Sequence, residues 1–139
     1  MFTQKFDKYV CDGDSITCEL GNLTIRAKLD RDYTYQIDDD DCHNPDQTVT
    51  GCDDKQQAKL MEARKAYFRG EWWYGIVILS AEIDGVEFVD FVDSLGGIEV
   101  NYPGSDNSYL WEVANEMLRQ NEDTIKESAR ALGQKLLAG

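Results

Sequence analysis

Alternating apolar and polar residues predict a β-hairpin near the start of the chain. The runs 15–20 and 23–29 both alternate, and only Gly21 and Asn22 separate them. A two-residue connection of this composition is typical of a tight hairpin turn. The register that this turn sets pairs Leu20 with Leu23, Cys18 with Ile25 and Ile16 with Ala27 on the buried face. We expect residues 5–11 to add a preceding strand.

A second hairpin is predicted around Asp84-Gly85, between the runs 72–83 and 86–92. Counting outward from the turn pairs Ile83 with Val86, Glu82 with Glu87 and Ala81 with Phe88. The start of the first run, residues 72–79, is apolar at consecutive positions. Both faces of this strand are therefore expected to be buried against other parts of the protein. That cover is either a helix of the same chain or a second subunit.

Helical spacing of apolar residues appears twice. A helix is expected over 54–69, with Asp54 at its positive end and Gly70 at its C-cap. A second helical pattern follows the turn at Pro103-Gly104 and runs to the C-terminus, and residues 121–124 are expected to divide it into two helices. Between these regions, residues 98–100 are expected to form a short edge strand.

These elements predict one α+β domain spanning residues 1–139. Its order is β-β-β-α-β-β-α-α, with helices packed on an antiparallel sheet of about five strands. The span 30–54 holds nine acids and one base, Arg31. We interpret it as an exposed acidic loop with a short strand around 33–37. A loop of this length in a small domain is either functional or disordered.

Charge narrows the choice of partner. The net charge is −13, and the segment between Arg69 and Arg119 holds ten carboxylates with no lysine, arginine or histidine. Nucleic acid and anionic membranes would repel such a surface, so neither is expected as a direct partner. A basic protein or ribonucleoprotein complex is the expected partner.

Carboxylates at strand or helix spacing lie at separations that match alternate phosphates of a duplex. A protein carrying such rows would fill a basic nucleic-acid channel, as a DNA mimic does. The residues expected to form this partner-binding face are Asp38, Asp39, Asp40, Asp41, Glu82, Asp84, Glu87, Asp90, Asp93, Glu112 and Glu116. An acidic surface that serves solubility alone is the competing interpretation.

Catalysis is not expected. His43 is the only histidine, and the chain has no phosphate-binding glycine loop, nucleophile elbow or dinucleotide fingerprint. Cys42, His43 and Cys52 offer metal ligands beside several aspartates, but they lack the closely spaced pairs of a structural zinc site. We therefore expect no cofactor and no metal, and keep a metal-dependent activity around Cys42 and His43 as a lesser hypothesis.

The chain has no apolar run long enough to span a membrane and no secretory signal at its start. A cytoplasmic location is therefore expected. The four cysteines, Cys11, Cys18, Cys42 and Cys52, would then be reduced thiols.

Segment 97–110, GIEVNYPGSDNSYL, resembles a segment of small acidic proteins of bacteriophages and other mobile elements. The opening stretch 9–18 and the Trp72-Trp73-Tyr74-Gly75 strand start are similar to theirs too. The group has no assigned mechanism, so the resemblance implies a setting rather than an activity. In that setting, small acidic proteins often inhibit restriction or CRISPR complexes. By analogy we expect an inhibitor of a host nucleic-acid-binding defence complex. The alternative is a non-catalytic interaction module that forms a homodimer.

Overall fold

A computed structural model describes residues 1–40, His43 and residues 54–138, without the side chains of Asp90 and Phe91. It contains four strands, β1 (Ser15–Leu20), β2 (Leu23–Arg31), β3 (Trp73–Ile83) and β4 (Val86–Val100). A short 3₁₀ helix (Ile37–Asp39) and two α-helices, α1 (Asp54–Phe68) and α2 (Ser108–Ala138), complete the described elements. The strands lie side by side in chain order, and all pairs are antiparallel. The predicted α+β class with an antiparallel sheet is confirmed.

The first hairpin has the predicted register, with Leu20 opposite Leu23, Cys18 opposite Ile25 and Ile16 opposite Ala27. The second hairpin follows its predicted register only near the turn. Asp84 and Gly85 both have positive φ, at 50° and 79°, as a type I′ turn requires. Ile83 pairs with Val86 and Glu82 with Glu87, but Ala81 pairs with Val89 instead of Phe88 because the ladder is irregular there.

Helix α2 covers one face of the sheet and closes the main core. Side chains from all four strands meet this helix, and most of them are fully buried. The central members of the core are Ile25, Leu29, Val77, Leu79, Val100, Leu110, Ala114 and Ile125. The prediction that residues 121–124 divide the helix is wrong, since α2 runs unbroken. The side chain of Asn121 donates to Asp93 of β4 at 2.8 Å, so it ties helix to sheet instead of capping a new helix.

The doubly apolar start of β3 is covered within the chain. Trp72 and Tyr74 pack in a second cluster with Ile37 of the 3₁₀ helix and Ala66 of α1. The indole N–H of Trp72 donates to the carbonyl of Ala63 at 2.7 Å. Helix α1 is therefore the cover that the sequence pattern required.

Residues 5–11, expected as a strand, form an irregular segment. Two asparagines in left-handed backbone, Asn101 and Asn107 with φ of 59° and 63°, hold this segment instead. The Asn101 side chain bonds both the N–H and the C=O of Val10 at 2.9 and 2.8 Å. The Asn107 amide donates to the carbonyl of Lys8 at 2.8 Å. The turn-rich part of the 97–110 segment thus has a structural role.

The expected strand around 33–37 is absent from the described residues, because an aspartate turn begins the 3₁₀ region. The carboxylate of Asp32 accepts hydrogen bonds from the backbone and hydroxyl of Thr34 at 3.0 and 2.6 Å, and from the backbone of Gly97 at 3.0 Å. The remaining part of the predicted 30–54 loop, residues 41, 42 and 44–53, lies outside the described residues. No described helix is both long and apolar enough to cross a membrane.

The Asp32 turn predicts an acid-dependent loss of stability. Hydrogen bonds from Thr34, the hydroxyl above all, hold the pKa of Asp32 below its usual value. A carboxyl whose folded pKa is depressed adds stability above its unfolded pKa and loses it as the pH falls through the folded pKa. We expect Asp32→Asn to lower the unfolding free energy at neutral pH, with a difference that shrinks below about pH 4. Urea unfolding across pH, with Asp7→Asn as an exposed control, measures this; a pH-independent difference would contradict it.

Candidate functional site

Four acidic residues meet at the end of the sheet that carries both hairpin turns. Glu19 lies opposite Thr24, Thr24 opposite Glu82, and Glu82 opposite Glu87. Directly paired residues point to the same face, so the three glutamates form one row across the sheet. Asp84 lies in the adjoining turn. We call Glu19, Glu82, Asp84 and Glu87 the acidic sheet end.

One guanidinium lies within this group. Arg26 Nη2 is 3.1 Å from Glu82 Oε1, and its Nη1 donates to Ser15 at 2.9 Å. Four carboxylates and one guanidinium leave a formal charge of −3. Glu19, Asp84 and Glu87 have no ion-pair partner among the described residues, and all three are exposed. The negative charge of the acidic sheet end is therefore largely available to a partner.

Apolar surface adjoins these charges. Ile83 and Val86 pair across the hairpin tip and are 37% and 66% exposed. Ile83 and Val86 project from the face of the sheet opposite to that of Glu82 and Glu87, because successive side chains along a strand point to opposite faces. Protein interfaces combine an apolar centre with a polar rim, and the hairpin tip offers both.

Helix α2 brings two further predicted residues to the edge strand. Glu112 and Glu116 line a groove of about 420 Å³ together with Leu20, which follows Glu19 at the end of β1. Glu116 accepts a hydrogen bond from Arg119 at 2.9 Å, and this contact lowers the pKa of Glu116. Of these two, Glu112 is the one without an ion-pair partner in the part of the chain that the structure describes, and it adds a negative charge on this side of β1.

The acids Asp38, Asp39 and Asp40 have roles inside the chain. Asp38 forms an ion pair with Arg64 of α1 at 2.8 Å. Asp39 accepts a bond from the backbone N–H three residues before it, within the 3₁₀ turn. Asp40 accepts a hydrogen bond from the hydroxyl group of Tyr74 at 2.9 Å. Asp38 and Asp40 tie the 3₁₀ region to α1 and β3, and Asp39 closes the 3₁₀ turn itself.

The residues predicted to bind the partner thus fall into separate groups in the structure. The structure brings Glu82, Asp84 and Glu87 together, and Asp93 is bonded to Asn121 instead. Asp41 and the side chain of Asp90 lie outside the described residues. Glu19 was not among the residues predicted to bind the partner. Alternation alone put it on the wet face of the first hairpin, but the β2–β3 register was needed to place it in the row.

A second cluster was not predicted in this form. His43 Nε2 lies 3.6 Å from Glu99 Oε1 and 3.9 Å from Asp40 Oδ2, and one ligand atom from each residue lies within 4.8 Å of the others. We call Asp40, His43 and Glu99 the His43 cluster. Cys42 and Cys52, the thiols considered as metal ligands in the lesser hypothesis, lie outside the described residues.

Tyr74 forms a hydrogen bond to one member of this cluster, Asp40. Burial, and then its hydrogen bond to Asp40, raise the pKa of Tyr74, so the phenol stays protonated and donates. Tyr74 also lies directly opposite Glu99 in the β3–β4 ladder. The two strands therefore hold Glu99 and the Asp40-binding phenol side by side.

Comparison with known proteins gives no relative: no protein-family model, no curated protein and no solved structure matches the chain.

Proposed function

We propose that the protein is a non-catalytic inhibitor that binds a basic nucleic-acid-binding complex through the acidic sheet end. Its class of partner would be a restriction or CRISPR complex of the host cell. The observation that carries the proposal is the cross-strand row of Glu19, Glu82 and Glu87. It places negative side chains in a fixed line with a single guanidinium among them.

The spacing of the row suits a phosphate-binding surface. Neighbouring strands lie about 4.8 Å apart, so Glu82 and Glu87 are separated by about one strand spacing and Glu19 and Glu82 by about two. Duplex phosphates rise about 3.4 Å per step on each strand, so these intervals span one to three phosphates. Lysines and arginines arranged for a phosphate backbone could therefore meet this row.

The direct pairing of two glutamates supports a functional role for the row of carboxylates. Glu82 and Glu87 face each other directly, and such a pair weakens a sheet by a few tenths of a kcal/mol. Arg26 offsets part of this repulsion from the neighbouring strand. The long-range field of a chain with net charge −13 would also accelerate association with a basic partner.

The homodimer alternative has less support. It was motivated by the apolar second face at the start of β3, and Trp72 and Tyr74 of that stretch are only 1% and 2% exposed. Helix α1 of the same chain already covers them. Ile83 and Val86 at the hairpin tip are the apolar residues that a partner would cover.

Capture from a bacterial lysate with matched variants tests the proposal. The test variant is Glu19→Gln/Asp84→Asn/Glu87→Gln, which removes three unpaired charges and leaves the Glu82–Arg26 pair intact. The control is Glu62→Gln/Asp123→Asn/Glu127→Gln, which makes the same charge change on exposed helix positions. We expect wild type and control, but not the test variant, to retain a basic nucleic-acid-binding protein at about 0.1 M salt. Wild type and control should both lose it at about 1 M salt, where the screening length falls to about 3 Å.

Equal capture by the two triple variants would contradict the proposal, because net charge alone would then explain binding. Capture that is indifferent to salt, or of a protein that is not basic, would contradict it as well. Addition of duplex DNA should displace the captured protein, since both ligands would compete for one channel.

A further inference from the structure

We propose that the His43 cluster binds a divalent first-row transition-metal cation through His43 Nε2 and the carboxylates of Asp40 and Glu99. The inference is independent of the acidic sheet end, and either can fail without the other. An imidazole with two carboxylates is a ligand set that suits Mn²⁺, Fe²⁺ or Zn²⁺. It leaves further coordination positions for water or a substrate.

Burial of an imidazole that makes no hydrogen bond through its Nδ1 is the first observation. The His43 side chain is 3% exposed, and its Nδ1 is buried with no hydrogen-bond partner among the described residues. Its Nε2 faces the two carboxylates at 3.6 and 3.9 Å, beyond hydrogen-bond distance. A buried polar group without a hydrogen bond costs about 1–3 kcal/mol. A cation at Nε2 would give that nitrogen a ligand bond.

The ligands are held in place by backbone contacts. The N–H of His43 donates to the carbonyl of Asp40 at 3.0 Å, which closes a turn with both side chains on one side of the cluster. Arg64 Nη1 donates to the carbonyl of His43 at 3.3 Å and ties this turn to α1. Glu99 comes from the rigid β3–β4 ladder, opposite Tyr74.

Surrounding groups orient the ligands and exclude solvent. The His43 ring packs against Trp72 and Tyr102, with centroid distances of 5.4 and 5.5 Å. The phenol of Tyr74 donates to the same Asp40 oxygen that faces His43. Outer hydrogen bonds of this kind fix ligand orientation in metal sites. Low polarity around the rings strengthens the attraction between a cation and two carboxylates.

The geometry also limits the affinity. When Nε2 binds a metal, Nδ1 carries the proton, and the described residues offer it no acceptor. Loss of such an outer partner typically lowers metal affinity 10- to 100-fold. The three ligand atoms must also move closer than their present separations of up to 4.8 Å. We therefore expect micromolar rather than nanomolar affinity.

Titration of the chelator-stripped chain with Mn²⁺ tests the inference. Mn²⁺ is chosen because thiolates bind it weakly, so the four cysteines do not compete. We expect one Mn²⁺ per chain at about 0.15 M salt, measured by loss of the free-ion electron paramagnetic resonance signal. Glu99→Gln and His43→Gln should each weaken binding at least tenfold. Glu87→Gln, an exposed carboxylate on the same strand, should leave it unchanged.

A second measurement, on the wild-type chain, keeps the inference testable if a variant does not fold. Mn²⁺ should broaden the nuclear magnetic resonance signals of Tyr74 and Tyr102 in the wild-type chain far more than those of Val86, which lies at the opposite end of the β3–β4 ladder. Weak, multiple binding that Glu99→Gln does not alter would overturn the inference and indicate adventitious ions only. Zn²⁺ binding abolished by thiol alkylation, with no Mn²⁺ bound, would also overturn it and favour a cysteine site. No binding of either ion would likewise overturn the inference.

Discussion

Replacement of Trp72 by glutamate is expected to unfold the protein. The side chain is 1% exposed, and its ring lies within 5.5 Å, centroid to centroid, of those of His43, Tyr67, Tyr74 and Tyr102. Truncation of a buried tryptophan costs about 3–5 kcal/mol, and a buried carboxylate adds a desolvation cost. Domains of this size are stable by about 5–15 kcal/mol, so this change removes most of the stability. Urea unfolding followed by circular dichroism measures it.

The matched control for Trp72 is Phe68→Glu at the end of α1. Phe68 is also aromatic and close in the chain, but it is 66% exposed. We expect this control to shift the unfolding midpoint little. Trp72→Phe should fold and lose part of the stability, which keeps the test informative if the glutamate variant does not fold. A Trp72→Glu chain that keeps its midpoint but halves its mass in sedimentation would instead show that Trp72 lies at a dimer interface.

Asn107→Ala is expected to cost about 3 kcal/mol of unfolding free energy. Asn107 is 1% exposed, its amide donates to Lys8 and Asn101, and its Oδ1 accepts from the backbone of Asn101. Each buried group left without a partner costs about 1–3 kcal/mol. Its φ of 63° adds strain for alanine, since the left-handed region suits asparagine better. Denaturant unfolding of the variant measures the loss.

Two variants separate these causes. Asn107→Gly relieves the backbone strain but makes none of the side-chain hydrogen bonds, so a loss close to that of alanine would assign the effect to the bonds. Asn22→Ala, at an exposed turn position outside this network, should change stability by less than about 0.5 kcal/mol. An Asn107→Ala midpoint equal to that of Asn22→Ala would contradict the structural role of the 97–110 segment.

The alternation of apolar and polar residues was sufficient to predict strand pairing where two strands are joined by a short turn. The first hairpin follows from alternation and a two-residue connection, and its register is right throughout. The second fails at Ala81, because a register irregularity leaves no mark in composition. The expected helix break at 121–124 fails for a different reason. Asn121, a residue typical of caps, bonds Asp93 on a strand that is distant in sequence.

Contacts between distant segments could not be predicted. His43 was expected to act with Cys42 because the two are adjacent in sequence, whereas its described partner Glu99 lies 56 positions away, from residue 43 to residue 99. The acidic face was expected from a segment without bases, but an arginine from another element reaches into it. Arg26 of β2 pairs with Glu82, and a count within the segment does not reveal this.

Competition for nucleic acid tests the central claim most directly. The captured basic partner is loaded with fluorescent duplex DNA, and the protein is titrated in while anisotropy reports release. We predict that wild type and the Glu62→Gln/Asp123→Asn/Glu127→Gln control displace the DNA with equal midpoints, and that Glu19→Gln/Asp84→Asn/Glu87→Gln needs at least tenfold more protein. Displacement by all three at the same midpoint, or binding of the protein without release of DNA, would contradict a role for the acidic sheet end in occupying the channel.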